Sequence, residues 1–592
     1  MPAIFNDNFW NVEGVQLKKP NLNCLKLDSS TYRMLLLQIS DEIGFNSSGI
    51  WLVDKDRTDS KFEKFIEIAI NEDIALAVTP EYSFPWHKLD DIFQNKYYPS
   101  LNNLWVFGMA SIRPGELIDF MERNNDIIWI YDRELVNSSK RSYPDRFFDP
   151  LCYLFTTNDI SGNKLKTIIV QFKNKPFGGA DSLWERDNLI KGNTFYVVEN
   201  ENKSAKLVSL ICSDTLDDID FNTVENCKFS VDPMLILHIQ LNQKPFADNY
   251  KSYRNDIFSK GSKDYQKEVI CLNWGRNVCF KDSENQEYSI FNKEAGSALY
   301  VKSTKINKDD LCFNRNHRNG MYYTNWSNKY VHVYLLNYDE HIYYIENTKV
   351  DQSQDDPSQA KRTGPVLVKA YKWVENAWVE NEERIDDGFR KYLEAIEEKR
   401  GQLDCLANNE NYLDVERLVQ FSAGDICTNN LWFRIDKMKS FIIDDSECND
   451  RIVFTQQDLP QKNFERTRKI SQYSILKCRI VNDKHNLPTG MDDAYLGYLE
   501  SLGKYKYLFN IHSQDGKMHA TGIYLGSNSR DNAVILQQQI AALFEDNQYG
   551  KSVMVWYDGI KGQTRIPEIL TLPRISESLE KKNFFITKKG II

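Results

Sequence analysis

The chain has 592 residues and a mass of 69.3 kDa, more than one hydrophobic core accommodates, so two or three domains are expected. Its 41% hydrophobic and 13% aromatic content excludes a disordered scaffold. A net charge of -10 excludes a general nucleic-acid binder, because phosphate contacts need a concentrated cationic face.

The opening "MPAIFNDNFWNVEG" has no cationic n-region and no apolar h-region, and no later stretch reaches the roughly 18 to 20 apolar residues of a membrane span. A cytoplasmic protein without membrane contact is expected. The 11 cysteines form no C-x-x-C pair and the 8 histidines no H-E-x-x-H, which points to free thiols in a reducing compartment, with no metal and no cofactor.

In chain order, "RMLLLQIS" (33–40) reads as a buried strand, and "SKFEKFIEIAINED" (60–73) as a helix capped by Ser60. "IALAVTP" and "NLWVFGMASI" are further strands, so the pattern is α/β, with sheets covered by helices. "LCYLFTTND" and "KLKTIIVQFK" flank the turn "ISGN" and are expected to form a hairpin. "TFYVVENENKSAKLVSLIC" is expected as a second hairpin, followed by strands in "DPMLILHIQLN", "KEVICLNWGRN", "AGSALYVKS" and "YVHVYLLNYD". The composition changes near Asp351, where "DQSQDDPSQAKRTGP" reads as a linker, and 386–421 reads as helical. Beyond it, β-like runs ("YSILKCRIV", "YKYLFNIHS", "ATGIYLG", "SVMVWYD") alternate with the helix-like "SRDNAVILQQQIAALFED", an α+β pattern. The expected division is 1–345, a linker and helical segment 346–420, and a C-terminal domain 421–592.

Four short pieces carry chemistry. "ALAVTPEYSFPW" puts Glu81 just past a buried strand, where desolvation suits a carboxylate to general-base work. "IIVQFKNKPFGG" ends a strand on Lys173, with Lys175 two residues on, an ammonium that could face a developing oxyanion. "DSLWERDNLIKGN" carries Glu185 seven residues before Gly192, a second carboxylate able to hold the lysine. "KLVSLICSDTLDD" delivers Cys212, Ser213 and Asp214 at a strand-to-turn transition, where backbone N–H groups can line an oxyanion site. Taken singly, each has a plain structural reading: strand-end acid, solvated lysine, helical surface acid, core thiol.

Together, in the order Glu, Lys, Glu, Cys, they resemble the carbon-nitrogen hydrolase family, or nitrilase superfamily. "TPEYS", "FKNKPFGG", "ERDNLIKG" and "LICSD" look like its four motifs, and the resemblance runs over roughly 21–339. It implies a four-layer α-β-β-α sandwich of the nitrilase type, with Glu81 as base, Lys173 on the oxyanion and Cys212 as nucleophile. Glu185, Asp214 and Ser213 would be supporting or substrate-positioning groups. Ser213 stands where many members carry an aromatic residue or histidine, and the tryptophan associated with nitrile hydrolysis is absent, so the implied substrate is a small-molecule amide. A homo-oligomer is likewise implied by the resemblance.

Two other readings use the same residues. One keeps the fold without turnover, as a binding or scaffold protein sensing a small molecule or partner through the C-terminal domain, for example in a bacterial defence system. The other gives the C-terminal part a protein or nucleic-acid partner through the basic stretches "KNFERTRK" (462–469) and "EKKNFFITKKG" (580–590).

Overall fold

The computed structural model describes residues 4–12, 14–95, 97–177, 183–200, 205–216, 233–243, 245, 253–254, 257–258, 266–282, 287–289, 296–303, 306, 316, 319–326, 331–350, 364–380, 418–419, 421–424, 464–483, 486–567 and 572. They fall into two compact units, the described residues up to 380 in the first and those from 418 on in the second.

The first unit is a mixed α/β structure built on two large sheets. Nine strands form one of them, in the order Ala377–Glu380, Val366–Val374, His341–Val350, Asp28–Gln38, Leu76–Val78, Leu104–Gly108, Pro150–Asn158, Lys164–Phe172 and Ile128–Ile130. Helices Lys55–Asn71, Trp86–Gln94 and Pro114–Arg123 cover one face, where Phe62, Phe65, Leu89, Ile92, Leu117 and Phe120 pack with Leu35, Leu37, Trp105, Phe107, Leu154 and Val170. Side chains alternate across a strand, so the other face of Lys164–Phe172 carries Ile169 and Gln171, and the same alternation carries Lys173 beyond it.

The second sheet has six strands, in the order Lys206–Ile211, Met234–Ile239, Lys267–Leu272, Ala298–Lys302, Val331–Leu336 and Met321–Trp326. Buried polar side chains bridge it to the first. Gln171 Nε2 donates to the Ser209 carbonyl at 2.9 Å, and Ser297 Oγ donates to Gln38 Oε1 at 2.7 Å. Lys349, on the first sheet, pairs with Glu268 on the second at 2.9 Å. Each of these polar atoms is out of water, so the bridges fix the separation and register of the two sheets.

Most expected elements are present, with instructive departures. The first helix starts earlier than read: Asp54 caps it by accepting from the Arg57 N–H, and Ser60 sits inside it, donating to the Asp56 carbonyl. The hairpin around "ISGN" is in place, pairing Pro150 with Phe172 through to Asn158 with Lys164. The second hairpin does not form as a strand pair among the described residues: Thr194–Tyr196 pairs in parallel with Ile4–Asn6, and a bridge from Val198 to Leu207 joins it to the following strand. The first unit also continues past 345. Strand His341–Val350 lies antiparallel to Asp28–Gln38, and Val366–Val374 and Ala377–Glu380 extend that edge, because the apolar residues of these runs had a sheet edge to cover. The stretch 351–363 of the expected linker, and 386–417 of the expected helix, lie outside the described residues.

The second unit holds a five-stranded sheet, ordered Tyr495–Leu496, Ile511–His512, His519–Ser527, Val553–Gly559 and Gly562–Ile566, with helix Arg530–Ala541 capped by Ser529. "YSILKCRIV" is helical instead of extended: helix Phe464–Ile475 runs into a π-helical turn, Leu476–Val481. Tyr473, Leu476 and Ile480 are buried at intervals of three and four, a helical stripe that a short apolar run disguises. In "YKYLFNIHS" only Ile511–His512 is strand.

Gly108 explains how one strand end is held. A methyl group there would lie 2.1 Å from the Pro80 carbonyl oxygen and 2.8 Å from the Glu81 Cα, so the Pro80–Glu81 backbone rests directly on it. Gly108→Ala should lower stability by about 2 kcal/mol, an overpacking cost, measured as a shifted denaturation midpoint. An unchanged midpoint would remove the close approach.

Candidate active site

Strand Leu76–Val78 ends in Thr79-Pro80, and the chain turns at Tyr82, whose φ of 57° is left-handed and strained for a side chain of this size. The turn holds Glu81 in the interior at 1% exposure. Its Oε2 accepts from the Leu241 N–H at 2.5 Å, while its carbonyl accepts from Trp274 Nε1 at 2.7 Å.

Lys173 follows the strand Lys164–Phe172 and is also 1% exposed. Its Nζ donates to Glu81 Oε1 at 2.6 Å and to Glu185 Oε1, and lies 3.7 Å from Asp149 Oδ2. Glu185, on the short helix Leu183–Asn188, also accepts from the Tyr82 hydroxyl at 3.0 Å and the Phe177 N–H at 2.9 Å. The glycine seven residues after it has a physical reason: Gly192 N–H donates to the Lys173 carbonyl at 2.8 Å, and a methyl group there would meet the Phe172 carbonyl at 2.6 Å.

Cys212 ends strand Lys206–Ile211 and opens a 3-10 turn, Cys212–Leu216, at a φ of 40°. It is buried, and its carbonyl accepts from His238 Nε2 at 3.0 Å, so His238 Nδ1 in turn accepts from the Tyr253 hydroxyl at 2.5 Å. Burial holds the His238 imidazole down at about 3, neutral throughout the physiological range. Asp214 accepts from the N–H groups of Asn174 (2.8 Å), Lys175 (3.0 Å) and Ile211 (3.1 Å), and Ser213 Oγ donates to the Lys175 carbonyl at 2.5 Å. Asp214 and Ser213 thus tie the cysteine turn to the segment after Lys173. Burial pushes the Asp214 carboxyl up to about 7 against the pull of those three donors.

The electrostatics follow from burial and neighbours. Burial raises the Glu81 carboxyl, partly offset by Lys173. Burial disfavours the Lys173 ammonium, but Glu185, Glu81, Cys212 and Asp149 together hold it well above its usual range. Among the described residues, the acidic oxygens of Glu81, Asp149 and Glu185 form a group compact enough for a metal ion, within 4.8 Å of one another. The Lys173 ammonium, within 4.0 Å of all three, supplies the positive charge there.

The sequence pointed to Glu81, Lys173, Glu185, Cys212, Asp214 and Ser213; it missed Asp149. A signal was present, because continuing the hairpin ladder one step beyond Pro150 and Phe172 sets Asp149 opposite Lys173, whose N–H donates to the Asp149 carbonyl at 2.9 Å. Tyr82, His238 and Trp274 were also missed, since nothing in their local sequence shows what they bond. Residues 464–469 of the basic stretch 462–469 lie in a helix, and 580–590 lies outside the described residues. No described helix is long and apolar enough to cross a membrane.

No family model matches the chain, and neither does any curated protein. Solved structures do. This chain is similar to members of the CN-hydrolase superfamily. One is a CN-hydrolase superfamily protein from Xanthomonas campestris with an arsenic adduct in its active site: 12% identity, 46% of this chain and 82% of that one, TM-score 0.27. Another is Nit3 of Saccharomyces cerevisiae, a branch 10 member of the nitrilase superfamily: 13% identity, 46% and 83%, TM-score 0.26. A third is an amidase from Nesterenkonia sp.: 10% identity, 56% and 95%, TM-score 0.26. At these TM-scores the alignments carry no functional inference, which rests on the side chains instead.

Two outcomes test the cluster. Lys173→Met leaves three buried carboxyl groups without their shared ammonium and should cost about 3–5 kcal/mol. Glu81 and Asp149 are already raised in the folded state, so stability is greatest at low pH and is lost as pH rises through their folded values. Denaturation midpoints of Lys173→Met, relative to wild type, should therefore recover as pH falls from 8 to 5; a deficit independent of pH would refute this. Asp214→Ala strands one buried and two part-buried N–H groups and should lower stability by about 2 kcal/mol, read in the same denaturation experiment.

Proposed function

We propose that the first unit is a hydrolase that cleaves a non-peptide carbon-nitrogen bond, in an amide, through a thioester on Cys212. The observation that carries this reading is the buried meeting of Glu81, Lys173 and Glu185, drawn from three distant segments, next to a cysteine turn that Asp214 and Ser213 tie to the residues following Lys173. Such a group is costly to bury for stability alone, and perturbed, coupled titratable groups are what acid–base chemistry needs.

In the proposed reaction Glu81 takes the Cys212 thiol proton, and the thiolate attacks the amide carbonyl carbon. The ammonium of Lys173, with the backbone N–H of Ser213, stabilises the tetrahedral oxyanion. The protonated Glu81 returns its proton to the nitrogen as ammonia or an amine leaves. Glu81 then deprotonates the water that attacks the thioester, and passes that proton to the departing Cys212 sulfur as the carboxylic acid forms. Glu185 holds Lys173 in place, and Asp214 and Ser213 hold the turn that presents the cysteine. Burial raises the Glu81 carboxyl, the direction that favours a group which must take up a proton and give it back.

The same reading assigns a four-layer α-β-β-α arrangement to the first unit, and a separate α+β domain to the C-terminal part. An amide is preferred over a nitrile because Ser213 stands beside the nucleophile where the nitrile-cleaving pattern places an aromatic residue.

The test is ammonia release from a panel of small amides. Cys212→Ala should lower turnover at least about 1,000-fold with unchanged circular dichroism, and a thioester adduct should be trapped by mass spectrometry in wild type only. Full turnover by Cys212→Ala overturns the proposal.

A further inference from the structure

Three carboxylates and one ammonium share the buried cluster, and Asp149 differs from the other two in its donors. Glu81 accepts from Lys173 and the Leu241 N–H; Glu185 accepts from Lys173, Tyr82 and the Phe177 N–H. Asp149 is 0% exposed, and neither of its carboxylate oxygens has a hydrogen-bond donor among the described residues; the Lys173 ammonium, at 3.7 Å, is beyond hydrogen-bond distance. Three ionised carboxylates against one ammonium would leave a net charge of about -2 in a site closed to water, a strongly unfavourable state. One carboxyl must keep its proton, and it is the one whose ionised form receives least help.

We propose that Asp149 is a neutral carboxylic acid whose proton is donated to the Glu81 carboxylate, making it a positioning residue that keeps Glu81 ionised and aimed as the base. Oxygens of the two groups lie within 4.8 Å of each other. The groups facing Asp149 are Glu81 and Tyr82 from the turn after Leu76–Val78, Lys173 from the paired strand and Glu185 from the short helix. Burial and then the Glu81 charge push its carboxyl well above the usual range, in agreement with the donor count. When Glu81 takes the thiol proton, the cluster holds two neutral carboxyls and one ionised carboxylate, with Lys173 opposite the new thiolate. The charge taken from Glu81 reappears beside the same ammonium.

The catalytic part of this inference rests on the amide-hydrolase reading; the protonation does not, and infrared spectroscopy tests it without a substrate. At pH 7 the difference spectrum of wild type minus Asp149→Asn should show a protonated-carboxyl C=O band, which separates Asp149 from Asp214. In turnover, Asp149→Ala should lose about 100-fold in kcat with KM little changed, whereas Asp149→Asn, whose amide N–H replaces the acid's donor, should lose only about 5-fold. Wild-type kcat should decline at high pH as Asp149 ionises, and Asp149→Asn should lack that decline. Absence of the band at pH 7, or Asp149→Asn as damaged as Asp149→Ala, overturns the proposal. A wild type showing the band but releasing no ammonia from any amide refutes the hydrolase reading and supports the proton assignment.

Discussion

The Lys173 ammonium is the constraint on which the N-terminal unit is arranged. A cation with no access to water needs its counter-charges supplied by the chain. Supplying them requires a turn after Leu76–Val78, a strand running from Pro150 and a short helix at Leu183–Asn188 to converge on one point. The costs of that convergence are visible nearby. The left-handed backbone at Tyr82 and Cys212 is one, and the two glycines that let other backbone segments press against the site, Gly108 and Gly192, are another. Strain held in place by surrounding packing is common at sites that do chemistry.

The second feature is how the nucleophile turn is coupled to the lysine segment. Asp214 and Ser213 bond to Asn174 and Lys175, while His238 fixes the Cys212 carbonyl from the neighbouring parallel strand. The main chain of the cysteine is held through its carbonyl and through bonds to its successors. Under the proposed reaction this is the useful arrangement, since the sulfur must change partners during each cycle while its main chain stays fixed.

Glu81, Lys173, Cys212, Ser213 and Asp214 stood out in the sequence because each follows an apolar strand, and Glu185, on a short helix, because of its spacing from Gly192. The helices and most strands of the first unit were legible for a similar reason, their apolar periodicity being strong. Legibility failed where partners are remote. The stretch "YSILKCRIV" reads as a strand until its burial at helical intervals is seen. The strands from His341 to Glu380 were cut at 345 because a composition change lies inside the run that the sheet edge recruits.

The sequence by itself determined the chemistry on offer: a thiol, an ammonium and one carboxylate each delivered just past an apolar strand, and a second carboxylate on a short helix. Only the tertiary structure decided their charges. Asp149 is a routine strand-leading acid in the sequence, and becomes the third carboxyl group of the cluster because the hairpin ladder sets it opposite Lys173 and folding removes the water. Ionisation is a property of surroundings, of distance and desolvation, and these exist only once the sheets have closed.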